Sequence, residues 1–426
     1  MPAPPTRSLV LTFEDARRVV EDHASRLAPG AQETADLLHA AGRILAEPIA
    51  ADRDIPPFPR STRDGYAVRS ADLSKLPAKL AVMGEIKAGP LQAPSALNQG
   101  EAFSIMTGAP VPPGADSVVM VEYTSQHGDS VEIAKGIAPG ENIVHQGAEA
   151  KHGSLLIGRG TRLDEAAIAL AASVGKSRLQ VSVRPRIAVL TTGDEIVELD
   201  AAPGPTQIRN SNSYSLAAQI QEAGGDPVPL PIAPDEPRRL RQLIEQGLQS
   251  DLLLMTGGVS MGRYDLVEQV LAEMQAEFFF TGAKIQPGRP VVFGRVDSCG
   301  AGTHARAGAS APAPYKYFFG LPGNPVSTMV TFELFARPML EALAGMSPRQ
   351  LSFLHARLKS GIRVKTGLKR FLPAILSGAY EESQVELVPW QGSGDIAARS
   401  RANCYIVIPP DREQILAAEW VAVMLR

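Results

Sequence analysis

The spacing of apolar positions changes along this chain, and the changes divide it. Near the start Ala16, Val19 and Val20 recur at helical intervals. The residues ahead of them, Thr12-Phe13-Glu14-Asp15, read as a helix start with Thr12 as N-cap and Asp15 at the third helical position. A second helical pattern is expected near 32–44, with Ala35, Leu38 and Ala41 on one side. Pro48 and the run Ile55-Pro56-Pro57-Phe58-Pro59 break helicity. From Tyr66 to about Ile133 short runs punctuated by Gly and Pro take over, among them Lys79–Met83, Ala102–Met106 and Ser117–Val121. They predict a small antiparallel β domain. Residues 134–185 are mixed and carry an alanine-rich helix near 163–174.

The block 186–340 gives the clearest pattern. Apolar strands are expected at Arg186–Leu190, Val228–Leu230, Asp251–Met255, Phe278–Phe280, Pro290–Phe293 and Lys316–Gly320. Helices are expected at Ser213–Ala223, Pro237–Leu248, Tyr264–Met274 and Pro325–Ala336. Strands alternating with helices predict a mostly parallel sheet covered on both faces. Residues 297–314 have almost nothing to bury and are expected to form a flexible loop. The tail from about 350 returns to short strands, and a small β barrel or sandwich fits it.

Composition narrows the classes. At 426 residues the chain is long enough for about two to four domains. Aromatics make up only 5 % of it, so a mostly aliphatic core is expected. Its 42 basic and 45 acidic residues leave a net charge of −3, which excludes a broadly basic nucleic-acid-binding chain. Two cysteines, Cys299 and Cys404, exclude a disulfide scaffold and an all-cysteine metal centre. No apolar run approaches membrane-spanning length and no signal-peptide core precedes the first helix, so a soluble, cytoplasmic protein is expected. The 38 glycines and 35 prolines exceed the usual share and mark many turns and strand ends.

Ligand groups in open α/β sheets gather where strands end. Three segments meet that condition: Thr191–Glu195, Thr256–Gly262 and Gly320–Ser327. Each places Gly or Pro where a ligand could approach backbone closely. Thr256–Gly262 can present consecutive N–H groups to a phosphate. None of the three is a dinucleotide fingerprint or a nucleotide P-loop. Asp194, Glu195, Asp235 and Asp265 accompany these loops. Carboxylates beside a phosphate nest suit a Mg²⁺ ion, which takes oxygen ligands. The lack of a histidine cluster argues against zinc. A stiff loop, Met106–Asp116, and the segment Arg60–Val68 stand out in the β region.

Together Asp64-Gly65-Tyr66-Ala67-Val68, Met106-Thr107-Gly108-Ala109-Pro110, Thr192-Gly193-Asp194-Glu195, Gly257-Gly258-Val259-Ser260-Met261-Gly262 and Leu321-Pro322-Gly323-Asn324-Pro325 resemble the molybdopterin molybdenumtransferase family. That family includes bacterial MoeA and the E domain of gephyrin. The resemblance implies a multidomain α/β fold in four parts: an elongated helical and mixed domain (1–45 with 140–185), an inserted β domain (46–139), an α/β molybdopterin-binding domain with a mostly parallel sheet (186–340) and a C-terminal β barrel (350–426). It also implies a homodimer with a site shared between subunits, and transient contact with a molybdopterin adenylyltransferase. The implied reaction is Mg²⁺-dependent: molybdate and adenylyl-molybdopterin give molybdenum cofactor and AMP. No nucleic-acid or membrane partner is implied.

Carried over by motif, Asp64, Thr107, Glu195 and Asp265 would be catalytic, with Glu195, Asp235 and Asp265 at the metal. Thr192, Gly193, Asp194, Asp235, Gly257, Gly258, Ser260, Gly262, Lys284, Arg289, Pro322, Gly323, Asn324 and Pro325 would bind substrate. The sequence departs from the family pattern at Arg63, where Met is usual, and at Glu149, which replaces a shorter acid. Gly282 and Gln286 stand where lysines are common, leaving Lys284 and Arg289 nearby. A molybdate oxyanion needs a basic pocket, and Lys284, Arg289 and Arg63 are candidates. Two rival readings are a molybdopterin adenylyltransferase and a non-catalytic pterin-binding scaffold.

Overall fold

The computed structural model describes residues 9–89, 95–258, 266–297, 315–346, 350–379 and 382–425. These form two compact units. One comprises Met1–Ala46, Gly160–Leu163 and Arg178–Arg426, and the other Glu47–Arg159 and Asp164–Ser177. Among the described residues no helix is long and apolar enough to cross a membrane.

At the centre of the larger unit lies a six-stranded sheet in the order Asp226–Pro229, Arg186–Thr191, Leu252–Thr256, Tyr315–Leu321, Val292–Asp297, Glu277–Phe280. Its first four strands are parallel, and the last two pairings are antiparallel. The mostly parallel sheet expected from the sequence is therefore present. Its strands read as continuous apolar runs because both faces are covered. On one face Ile187, Val189, Leu252, Leu254 and Phe319 pack with the helices Phe13–Ala24, Asn212–Ala223 and the Pro325–Leu343 segment. On the other, Ala188, Leu190, Leu253, Met255 and Phe318 pack with Pro237–Gly247 and Leu266–Glu273. The few aromatics are not spread evenly. Phe280, Phe293, Phe319, Phe332, Phe335 and Phe371 all crowd the first face, within a core that is otherwise mostly aliphatic, as expected.

The first helix starts as the sequence predicts: Thr12 Oγ1 accepts the Asp15 amide at 3.1 Å. The second helix does not form. Gln32–Asp36 is a strand paired antiparallel with Arg178–Ser182, followed by a short 3-10 turn, Leu37–His39. Of the positions expected on one side, Ala35 is buried but Leu38 is 90 % exposed. A partner more than 140 positions away supplies this segment's hydrogen bonds, and local periodicity cannot register it.

The expected Pro325–Ala336 helix is longer than predicted. It runs as α-helix over Pro325–Thr331, as π-helix over Phe332–Ala336 and again as α-helix over Arg337–Leu343. Pro338 has no N–H to offer the Leu334 carbonyl, its α-helical acceptor. The buried Arg17 guanidinium serves that carbonyl instead, at 2.6 Å.

The tail forms a closed barrel. Its ring runs Lys369–Ser377, Gln384–Leu387, Phe353–Leu358, Trp420–Leu425, Cys404–Ile408 and back to Lys369–Ser377. Ile285–Gln286 adds to Lys369–Arg370 in parallel, so the Lys284–Arg289 loop is anchored to the barrel wall. Cys404 faces the barrel core, where burial pushes its thiol up to about 11. The loop expected at 297–314 lies, from 298 on, outside the described residues.

The smaller unit holds a second six-stranded sheet in the order Ser117–Met120, Gly65–Val68, Glu101–Ile105, Ala78–Ile86, Ser130–Ile133, Thr124–His127. It is not wholly antiparallel as expected: Ala78–Ile86 and Glu101–Ile105 run parallel. The connection between them is long enough to cross over, which a tight hairpin could not do. The alanine-rich helix is Glu165–Ser173, with the Asp164 side chain accepting the Ala167 amide at 2.8 Å.

Candidate functional site

Three parallel strands end in register at one edge of the central sheet. Thr191 stands beside Thr256, and Thr256 beside Leu321. The next residues along the chain are therefore neighbours: Thr192, Gly257 and Pro322. Thr192 donates its amide to the Thr256 carbonyl at 2.9 Å and bridges on its other side to Ala233. Gly257 has φ +88, and a Cβ there would lie 2.5 Å from the Thr192 carbonyl oxygen, so glycine is required. Gly323 is different. A Cβ there would meet the Gly257 Cα at 3.5 Å and its nitrogen at 3.9 Å, which is ordinary contact. Gly323 and Asn324 are exposed, whereas Pro322 is buried.

Buried hydroxyls hold the Pro322–Pro325 loop in place. Thr256 and Thr328 both donate to the Pro322 carbonyl, at 3.0 and 2.5 Å. Asn212 Nδ2 donates to Thr256 Oγ1 at 2.9 Å and to the Gly323 carbonyl at 2.7 Å. Thr191, Asn210 and Ser213 form a second buried network, with Thr191 Oγ1 and Ser213 Oγ 2.8 Å apart. Asn210, Asn212 and Ser213 were not among the expected site residues. Their only signal was a polar cluster before a helix, which reads as a cap. Asn210 does serve that way, accepting the Ser213 amide at 3.1 Å, but Asn212 reaches across to two other strand ends.

The acids expected at a metal are partly brought together. Asp194 Oδ1 accepts the Asp235 amide at 3.0 Å. Glu195 folds back over Gly193, where a Cβ would lie 2.5 Å from its Oε2. Burial pushes the Asp235 carboxyl above its ordinary value, and the charges of Asp194 and then Glu195 push it further. These are hard oxygen donors, the kind that suit Mg²⁺. Among the described residues, however, no three His, Cys, Asp or Glu side chains converge closely enough to enclose a metal by themselves. The set fits an ion that keeps waters or takes oxygens from a bound phosphate. Ser260, Gly262 and Asp265 lie outside the described residues.

Lys284 and Arg289 are exposed on their loop and make no ion pair among the described residues. Gly288, between them, sits against the Pro325–Thr331 helical segment. A Cβ there would meet Thr331 Cγ2 at 2.4 Å. From the barrel side, the Ser393 carbonyl accepts the Val326 amide at 3.0 Å.

In the smaller unit Asp64 and Thr107 form one constellation. Asp64 Oδ1 accepts the Thr107 amide at 2.6 Å and the Thr107 hydroxyl at 2.9 Å. Those two bonds, the amide's first, hold the Asp64 carboxyl below its ordinary value. Gly65 permits this because a Cβ there would lie 1.9 Å from the Val119 carbonyl oxygen. Glu149 pairs with Arg60 at 2.7 Å, and Arg63 is exposed.

Comparison with known proteins agrees with this arrangement. Three family models match successive regions: the MoeA N-terminal region (domain I and II) at residues 11–175, the probable molybdopterin binding domain at 188–342 and the MoeA C-terminal region (domain IV) at 355–425. The chain is 32 % identical over 427 residues to the molybdopterin molybdenumtransferase of Synechococcus elongatus, covering 97 % of this chain and 99 % of that one. It is 37 % identical over 320 residues to that of a Nostoc species, covering 74 % of this chain and 70 % of the relative. A crystal structure of a molybdopterin biosynthesis MoeA protein from Pyrococcus horikoshii superposes with a TM-score of 0.76 at 26 % identity, covering 98 % of this chain and 100 % of that one. A second MoeA structure from that species gives 0.69 at 31 % identity, covering 98 % and 99 %. The chain belongs to the MoeA family of molybdopterin molybdenumtransferases, transferases of molybdenum cofactor biosynthesis.

Proposed function

We propose that this protein inserts molybdate into adenylyl-molybdopterin, releasing AMP and molybdenum cofactor, in a Mg²⁺-dependent reaction. The observation that carries the reading is the in-register meeting of Thr192, Gly257 and Pro322 at one sheet edge, beside Asp194, Glu195 and Asp235. Cleaving a phosphoric anhydride requires charge to be neutralised on phosphate oxygens and an oxyanion or water to be placed in line. A bound Mg²⁺ would supply the first. Glu195 and Asp235 would hold it together with Asp265, and Asp194 would orient Asp235. Glycine backbone at 257 and 258 admits the substrate closely. Lys284 and Arg289, with Arg63, are the cations proposed for molybdate. Inserting a metal into a dithiolene asks for no protein nucleophile, so binding and positioning by these residues account for the chemistry.

The four-part division set out above is proposed for the domains. A cytoplasmic homodimer is proposed for the assembly, with Asp64 and Thr107 serving the site of the opposite subunit. Transient transfer of substrate from an adenylyltransferase is proposed for the partnership. Complementation of a strain lacking molybdenum insertion tests the reading. Restored molybdoenzyme activity is expected from the wild type and not from Glu195→Ala. Failure by well-folded wild type, or adenylylation of free molybdopterin by ATP, would contradict it.

A further inference from the structure

Two buried polar atoms at the junction of the three loops have no hydrogen-bond partner among the described residues: Thr192 Oγ1 and Asn212 Oδ1. Their residues are 3 % and 8 % exposed. The orientation of the Asn212 amide is fixed by its neighbours. The atom 2.7 Å from the Gly323 carbonyl must be the nitrogen, because a carbonyl only accepts. Thr256 spends its own hydroxyl proton on the Pro322 carbonyl, so it too accepts from Asn212. The remaining atom, Oδ1, is an acceptor with no donor among the described residues. Thr192 Oγ1 belongs to the same junction, 3.0 and 2.9 Å from where Cβ atoms on Gly257 and Gly258 would stand. Leaving such groups unpaired is costly, and at a ligand site the ligand is the natural partner.

We propose that Asn212 is a substrate-reading residue of this site, its side-chain oxygen accepting an N–H from the 2-amino group of the pterin. The assignment rests on the pterin reading given above. An acceptor-only atom cannot serve phosphate or molybdate oxygens, which are themselves acceptors at neutral pH. The substrate groups able to donate include the amino and ring N–H groups of the pterin, the amino group of adenine and the ribose hydroxyls. Asn212 lies in the region matched to the molybdopterin binding domain, which favours the pterin. A site built to pair with an N–H rejects the analogue lacking it, because its own acceptor is then stranded.

The test compares 6-hydroxymethylpterin with 6-hydroxymethyllumazine, in which an oxo group replaces the 2-amino group, by calorimetric titration of the full-length protein. AMP and IMP form a second pair that differs at the adenine amino group. The wild type is expected to prefer the pterin by roughly ten-fold. Asn212→Ala is expected to bring pterin affinity down to that of lumazine, leaving lumazine affinity unchanged. Thr256→Val weakens the same clamp while leaving Oδ1 in place, so it is expected to lower Tm yet keep the preference. A preference that survives in Asn212→Ala, that disappears equally in Thr256→Val, or that is seen only between AMP and IMP would overturn the assignment. Equal wild-type binding of both pteridines would overturn it alone. Binding of neither would remove the pterin reading beneath it.

Discussion

Asp194 holds the backbone of Asp235, accepting its amide at 3.0 Å, while their two carboxylates repel. The Asp194 backbone amide lowers the Asp235 carboxyl, but burial and the charges of Asp194 and Glu195 outweigh it, so the net direction is upward. The fold thus keeps acidic groups closer than they would choose, as the cation site proposed above would require.

Without divalent cation, a raised native carboxyl means that the folded state binds more protons than the unfolded one just above the usual aspartate range. Stability therefore falls as pH rises through that interval. Asp235→Asn is expected to raise Tm at neutral pH and to flatten this pH dependence. Adding Mg²⁺ to the wild type at 100-fold over its Kd should stabilise it by about 2.7 kcal/mol, and the variant should gain much less. Thermal melts with and without Mg²⁺ check this. A variant less stable than wild type in cation-free solution would contradict it.

At Asp64 the sign is reversed. Its carboxyl is lowered by the Thr107 amide and hydroxyl, so its stabilising effect is present above the ordinary aspartate value and is lost as pH falls through the lowered one. Thr107→Val removes the hydroxyl and keeps the amide. NMR titration of the Asp64 carboxyl should show its pKa rise part of the way back, with the fold unchanged at neutral pH. An unmoved pKa would mean that the hydroxyl bond contributes nothing.

Two glycines of the same edge should respond in opposite ways. Gly257→Ala forces a Cβ to 2.5 Å from the Thr192 carbonyl oxygen at φ +88, and a loss of at least about 1–3 kcal/mol is expected. Gly323→Ala has room, its nearest neighbour standing at 3.5 Å, so stability should hold. Turnover should nevertheless fall if substrate lies against that backbone. Chemical denaturation and a cofactor-forming assay on both variants distinguish them. A Gly323→Ala protein with full turnover would move the substrate away from the loop.

The Arg17–Leu334 contact makes a folding prediction. Arg17→Met leaves the Leu334 carbonyl without that donor and should cost about 1.5–3 kcal/mol. Pro338→Ala offers an amide to the same carbonyl, so the loss from Arg17→Met should be smaller in that background. A double-mutant cycle in denaturant measures the coupling. Strict additivity would show that the two residues do not share this carbonyl.

Much of this was legible from local pattern. The central strands could be read because strands buried on both faces must be apolar throughout, as Leu252–Met255 is. The strand-end loops could be read because glycine and proline are needed there. Pairing was not legible. Gln32–Asp36 looked helical because its partner strand lies far along the chain. The parallel Ala78–Ile86 and Glu101–Ile105 pair looked like another hairpin. Pro325–Leu343 looked finished at Ala336 because a proline follows two residues later, and the helix continues through a π segment. At the site, the acids and glycines were visible by residue type. Asn212 was not, since its role lies in bonds to two other strand ends.

The most direct measurement of the central claim is AMP release in a defined mixture of purified protein, adenylyl-molybdopterin, molybdate and Mg²⁺. The account predicts one AMP per molybdenum cofactor formed, dependence on molybdate and Mg²⁺, and loss of both products in Glu195→Ala with the fold retained. Unchanged product formation in Glu195→Ala would contradict the role given to that residue. AMP release without cofactor, or no reaction by folded wild type, would contradict the function itself.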